Sequence, residues 1–312
     1  MKKEQLIIIG SGPAGLTAAL YAARANLNPL IISGNEIGGQ IAITNEVENY
    51  PGFDQILGPE LTEKMRAQAE KFGTRIEVDE VLEVDFAHGA PFKLKTYGSE
   101  YEADCVIVCT GASARRLGVP GENGFIGKGV SYCATCDGFF FKNKDVLVVG
   151  GGDSALQEGL FLTKYASRVR IVHRREALRA GEILKTRAQA NDKIQFVFDT
   201  VLDQIDGDGK VQSVQARNLQ SGRAERWQTD GVFVFVGHFP NTSLFKNQLA
   251  MDEQGFLVVD KTMQTSAPGV FAAGEVMDPL YKQAISSAGQ GCQAAISAER
   301  YLEALHDKEL VK

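Results

Sequence analysis

The sequence predicts an α/β protein built around two dinucleotide-binding units. Three observations carry that reading. A short apolar run at residues 5–9 leads straight into Gly10-Ser11-Gly12-Pro13-Ala14-Gly15 and then into a helical pattern. The same order recurs at Asp145–Val149, followed by Gly150-Gly151-Gly152-Asp153-Ser154-Ala155 and a second helical pattern. The chain has 312 residues, enough for two domains of ordinary size.

Residues 5–9, Gln-Leu-Ile-Ile-Ile, are nearly all apolar, as in a parallel strand buried on both faces. The glycines after it permit a tight turn and close approach of the backbone to a pyrophosphate. The helix expected from residue 16 to about residue 25 offers free N–H groups to the same anion. Residues 29–32 form the next strand, whose end should lie near the ribose. Glu36, three residues past Ser33, is the acid expected to accept the ribose hydroxyls. Gly38-Gly39-Gln40 read as a loop close to the cofactor, the alternative being a plain solvent-facing turn. Residues 59–72 have helical spacing, and residues 75–109 alternate like a small meander of strands. The last of these, Cys105-Val-Ile-Val-Cys109, is apolar throughout and runs into Thr110-Gly111-Ala112. A polar, glycine-rich stretch places the first domain boundary near residues 114–120.

The second glycine turn carries alanine at its third fingerprint position, a permitted variant. Two such turns so far apart imply two dinucleotides. Residues 169–172 form a strand that ends in His173-Arg174-Arg175, with Arg179 four residues on. An NAD site carries an acid here. Guanidinium groups in its place suit the 2′-phosphate of NADPH, the alternative being a solvated basic face. Residues 194–235 read as several strands, and a loop at residues 238–242 marks the return boundary. Residues 256–259 read as a strand. Residues 265–275 read as turn, short strand, glycine and acid, with Gly274 letting backbone approach a ligand and Glu275 placed to hold a hydroxylated chain. A helical pattern from about residue 283 to 305 closes the chain. It serves as a core helix, and its N-terminal end is able to point its dipole at an electron-rich ring.

Between the two glycine turns lies Tyr132-Cys133-Ala134-Thr135-Cys136-Asp137-Gly138. Two thiols separated by two small residues can cycle between dithiol and disulfide. A structural zinc site needs four ligands, and Cys105, Cys109 and Cys292 form no second Cys-x-x-Cys. No metal is expected. The net charge of −6 and pI near 5.4 argue against nucleic acid as a partner. The first residues run directly into a strand rather than a signal peptide, and no apolar run reaches the length of a membrane span. A cytoplasmic location without membrane attachment is expected, where a Cys-x-x-Cys is more often catalytic than structural.

Taken together, these motifs resemble the low-molecular-weight, bacterial-type thioredoxin reductases. The resemblance also takes in Glu48-Asn49-Tyr50-Pro51-Gly52, Pro240-Asn241-Thr242 and residues 271–276, and it covers essentially the whole chain. It implies an FAD domain made of residues 1–115 and 243–312, with an NADPH domain inserted at 116–242, and a homodimer. It implies that Gly10, Ser11, Gly12, Pro13, Ala14 and Gly15 hold the FAD pyrophosphate. Glu36, Gly38, Gly39, Gln40, Asn49, Thr110, Gly111, Ala112, Gly274 and Glu275 would hold the rest, with Gln283 and Ala284 near the flavin. Gly150, Gly152, Asp153, Ser154 and Ala155 would face NADPH, with His173, Arg174, Arg175 and Arg179 at its adenosine phosphate. By the same resemblance Cys136 is the sulfur nearer the flavin, Cys133 attacks thioredoxin, and Asp137 is the acid–base group. The family usually has aspartate where this chain has Glu275 and arginine where it has Lys282. A same-fold enzyme drawing on ferredoxin, or serving a peroxiredoxin or a small dithiol, is the alternative. The arginine cluster counts against the ferredoxin-driven form.

Overall fold

The computed structural model describes residues 1–35, 37–44 and 46–310. The chain divides into two compact units, one made of residues 1–113 and 239–312 and the other of residues 114–238. The crossings fall a few residues before the boundaries expected from sequence.

The first unit opens with β1 (Lys2–Ile9), α1 (Pro13–Arg24) and β2 (Leu30–Ile32). The helix starts at Pro13, earlier than the apolar spacing indicates, because proline at the first helical position costs no hydrogen bond. Next come α2 (Gly39–Ala42), β3 (Glu46–Val47), β4 (Ile56–Leu57) and α3 (Gly58–Lys71). The segment expected as a loop, Gly38-Gly39-Gln40, is the start of the one-turn α2. Gly38 caps it with φ +100°, a left-handed conformation that glycine adopts at little cost. Then follow β5 (Arg75–Glu77), β6 (Val81–Asp85), β7 (Phe92–Thr96), β8 (Glu100–Val108) and β9 (Ala112–Ala114). Only β6, β7 and β8 form the expected meander, whereas β5 pairs parallel to β2 at the far edge.

The resulting sheet runs β5-β2-β1-β8-β7-β6. Along β1, alternate side chains enter different cores. Leu6 and Ile8 pack with α1, while Ile7 and Ile9 pack with Leu30, Ile32 and Phe92. All four are buried, and each contributes about 2–3 kcal/mol through its burial. Cys105 and Cys109 belong to the core on the α1 side, where burial pushes both thiols far up from their ordinary pKa.

The second unit contains β10 (Val130–Ser131), α4 (Ala134–Asp137), β11 (Asp145–Val149), α5 (Asp153–Leu162), β12 (Arg168–Val172), α6 (Glu182–Gln189) and β13 (Ile194–Val197). It continues with β14 (Thr200–Asp208), β15 (Lys210–Asn218), β16 (Ala224–Gln228) and β17 (Gly231–Val234). A parallel sheet runs β10-β17-β11-β12-β13, and β14-β15-β16 form a separate antiparallel sheet. Val146 and Val148 of β11 face the helices. Leu147 and Val149 pack against Leu202, Ile205 and Val214 of the antiparallel sheet. Both faces of the parallel sheet are therefore covered, as its apolar strands require.

The chain returns through β18 (His238–Pro240), which ladders with β9. Residues 256–259 are not a strand. Leu257 makes one isolated bridge to Met251, and its N–H donates to the Val276 carbonyl. The segment spends its hydrogen bonds on loop backbone rather than on a neighbouring strand. Finally β19 (Val270–Ala272) pairs parallel to the end of β8, and α7 (Ala284–Leu310) packs against α1. Among the described residues no helix is long and apolar enough to cross a membrane.

Candidate active site and nucleotide turns

Each glycine of the first turn answers a different physical demand. A Cβ on Gly10 would stand 2.3 Å from the Cys109 carbonyl oxygen, and one on Gly15 would stand 2.0 Å from the Gly10 carbonyl oxygen. Those two positions are closed by backbone. A Cβ on Gly12 would meet nothing within 4 Å, and Gly12 has φ −69°, which any residue adopts. Glycine there leaves a cradle over the start of α1, as a pyrophosphate needs.

Other expected residues gather on this turn. The Ser11 hydroxyl donates to the Ser33 carbonyl at 3.3 Å, and Gly38 N–H donates to Ser11 at both its carbonyl (3.1 Å) and its Oγ (3.3 Å). Gly39 comes so near that its Cβ would lie 3.2 Å from Gly12 Cα. Gln40 is exposed beside them. Gly274, with φ +84°, sits against Ala14, and a Cβ there would lie 3.0 Å from the Ala14 methyl. Asn49 Nδ2 donates to Gln283 Oε1 at 3.3 Å, joining two residues 234 positions apart at the start of α7. Glu36 lies outside the described residues.

Glu275 has a carboxyl pushed up by desolvation, with Lys282 pulling it down and Asp278 pushing it further up. Among the described residues nothing hydrogen-bonds to its carboxylate. A half-buried acceptor with no protein donor fits a hydroxylated ligand chain.

Sequence reasoning overlooked the scaffold behind these groups. Asn241 donates to the Thr110 carbonyl at 2.8 Å and accepts from Ser113 Oγ at 3.0 Å, while its N–H donates to the Gly111 carbonyl. It thereby fixes the Thr110-Gly111-Ala112 segment. Gln290 accepts from Gly274 N–H and donates to the buried Asp278, which also accepts from the N–H groups of Leu280 and Tyr281. A Cβ on Gly291 would lie 2.2 Å from the Ala14 carbonyl oxygen. The Gly-Gln-Gly triplet at residues 289–291, inside a long helix, was the available signal.

The second turn repeats the first. A Cβ on Gly150 would stand 2.5 Å from the Phe235 carbonyl oxygen, and one on Gly152 would meet nothing within 4 Å. Ala155 is buried and Ser154 exposed at the start of α5. Asp153 accepts from Gly181 N–H at 2.7 Å, tying the helix start to the beginning of α6. The arginines sit in the loop between β12 and α6, which Arg179 N–H anchors to the Gly151 carbonyl at 2.7 Å. Arg174, Arg175 and Arg179 are exposed and make no ion pair with any described residue. His173 stands apart from them. Its ring is buried against Gly151, and among the described residues Nε2 has no hydrogen-bond partner. Desolvation lowers its pKa, a backbone hydrogen bond with Ala177 opposes the fall, and the three arginines add to it.

In the same unit, Cys133 and Cys136 form a disulfide of 2.13 Å that caps α4. Cys133 is the N-cap, and Cys136 N–H donates to its Sγ at 3.1 Å. Ser131 fixes the strand end by donating to the Cys133 carbonyl and accepting from its N–H, both at 3.1 Å. Asp137 closes the turn. Desolvation raises its pKa and the nearby Ser131 hydroxyl opposes the rise. Two carboxylates unseen in the sequence reading brace this segment. Glu122 accepts from Tyr132 Oη and from the N–H groups of Leu117 and Gly118, and Glu158 accepts from Ala134 N–H. An acid within Pro-Gly-Glu-Asn-Gly carries no sign of burial, yet Glu122 is 1% exposed.

The family model for pyridine nucleotide-disulphide oxidoreductases matches residues 4–291. A thioredoxin reductase from Streptomyces coelicolor is 49% identical over 309 residues, covering 98% of this chain and 96% of the relative. The chain belongs to the thioredoxin reductases of that family. A relative of the same name from Rickettsia conorii is 49% identical over 304 residues, covering 96% and 98% of the two chains. The crystal structure of thioredoxin reductase from Streptococcus pyogenes superposes with a TM-score of 0.94 at 45% identity, over 97% of this chain and 99% of that one. Membership implies use of a flavin and a pyridine nucleotide, and the two open glycine cradles are the places that fit them.

Proposed function

We propose that the protein is an NADPH-dependent thioredoxin-disulfide reductase that works through FAD. The observation that carries the reading is the Cys133–Cys136 disulfide on its one-turn helix. It lies in the unit that also holds the second glycine cradle and three exposed arginines that form no ion pair with any described residue. The first unit, residues 1–113 and 239–312, would hold FAD. Gly10 to Gly15 would lie under the pyrophosphate, Glu275 at the hydroxylated chain, and Asn49, Gln283 and Ala284 near the flavin. The second unit would hold NADPH over Gly150 to Ala155, with Arg174, Arg175 and Arg179 on the 2′-phosphate. The chemistry supplied by the bound cofactors is hydride transfer from nicotinamide to flavin and passage of the electron pair to the disulfide.

The chain's own residues handle the thiols. Cys133, as thiolate, attacks the disulfide of thioredoxin, and Cys136 resolves the mixed disulfide. Asp137 carries the proton, its raised pKa bringing it nearer the range in which a carboxyl both gives and takes one. A cytoplasmic homodimer belongs to the same proposal, and sedimentation velocity tests the dimer.

Anaerobic titration with NADPH and, separately, NADH, followed by flavin absorbance, tests the cofactor assignment. Bleaching at low NADPH and only at much higher NADH is expected. Equal response to both would remove the arginine assignment. No response to either would favour a ferredoxin-driven enzyme of the same fold.

A further inference from the structure

Glu158 lies on α5, the helix that begins at the second glycine cradle. Its Oε2 accepts Ala134 N–H at 3.1 Å. Ala134 is the first residue of α4 and directly follows Cys133. The N–H groups of this turn are thus divided: Ala134 gives its own to a carboxylate, Cys136 to the Cys133 sulfur, and Asp137 to the Cys133 carbonyl. A glutamine would satisfy Ala134 equally well. A carboxylate adds a negative charge one residue from the sulfur that must ionise.

We propose that Glu158 is a positioning residue that sets the reactivity of Cys133, holding the first turn of α4 while restraining formation of the Cys133 thiolate. The inference rests on the reductase reading of this disulfide. Opening the disulfide takes up two electrons and two protons, and Cys133 attacks only after releasing one of those protons. A nearby carboxylate opposes that release, and a donated N–H favours it. The other groups around the turn are Asp137 on α4 itself, the Ser131 hydroxyl from β10, and Tyr132, whose hydroxyl is given to Glu122. Glu158 is the carboxylate brought in from a neighbouring helix. It therefore links the nucleotide-side helix to the backbone directly after Cys133 through the Ala134 N–H.

The test uses full-length protein carrying Cys136→Ser, so that Cys133 remains a free thiol, reduced with dithiothreitol and without nucleotide. Iodoacetamide labelling of Cys133, resolved by mass spectrometry, is followed against pH. Glu158→Gln should move the profile to lower pH and raise the rate at pH 7 about threefold or more, because thiolate fraction controls that rate. Glu158→Asp, which keeps the charge, should retain the parent profile. In protein with both cysteines, Glu158→Gln should also make the disulfide easier to reduce against a glutathione buffer. A Glu158→Gln profile that coincides with the parent would overturn the proposal, since a purely structural bond survives that change. Because no nucleotide is present, this result is independent of the NADPH and NADH titrations.

Discussion

Gly12 and Gly15 stand three residues apart and differ in what an added methyl would meet. At position 15 it would drive into the Gly10 carbonyl oxygen, and at position 12 it would enter open space. Gly15→Ala should therefore destabilise the fold by about 3 kcal/mol or more, read by denaturant titration. Gly12→Ala should leave the same titration nearly unchanged and reduce the flavin retained through purification. Asp137 separates function from stability in another way. Its pKa is raised in the folded protein, so ionisation is costlier there than in the unfolded chain. The stability it contributes is complete below its unfolded value of about 4 and is lost as pH rises through the folded value. Asp137→Asn should thus raise the melting temperature at pH 8 and not at pH 4. It should also lower turnover by about 100-fold or more, the usual scale for a lost acid–base group.

The loop between β12 and α6 acts as one element. Its anchor is backbone, through Arg179 N–H on the Gly151 carbonyl, so its guanidinium groups can be removed without releasing the loop. Replacing Arg174, Arg175 and Arg179 by alanine should raise KM for NADPH by about 10- to 100-fold, given about 1.5–3 kcal/mol for a hydrogen bond to a charged group. Steady-state kinetics with NADH should show little change. His173 plays a different part within the element. Its ring fills the space that a side chain at Gly151 would need, so it shapes the turn from beneath. The family resemblance groups it with the arginines at the adenosine phosphate. Burial distinguishes them, because His173 directly follows β12 and is still buried against Gly151, while Arg174, Arg175 and Arg179 are exposed.

At the scale of the molecule, the hydrophobic cores respect the division into units. Every residue of the two cores around β11 lies between positions 117 and 236, and the remaining cores draw only on positions 6–109 and 244–302. A segment with its own core should fold alone. Its ends also meet, since β9 and β18 are ladder neighbours. The isolated segment 114–238 should melt cooperatively by circular dichroism, and broad, non-cooperative loss of signal would show that it depends on the other unit.

The sequence by itself determined the two strand–turn–helix units, the paired thiols and the arginine loop. These are local patterns: alternation, glycine spacing and charge within a few residues, all governed by backbone geometry. It also misassigned local details: Gly38–Gln40 begin a one-turn helix capped by left-handed Gly38, and residues 256–259 bond to the backbone of Ala250 and Val276 rather than to a strand. Only the tertiary structure decided which polar groups support the site. Asn241 reaches Thr110, Gln290 reaches Gly274, Glu122 reaches Tyr132, and Glu158 reaches Ala134. Such partners are chosen by which buried donors packing leaves unsatisfied. That choice exists only once distant segments have closed around one another and water has been excluded.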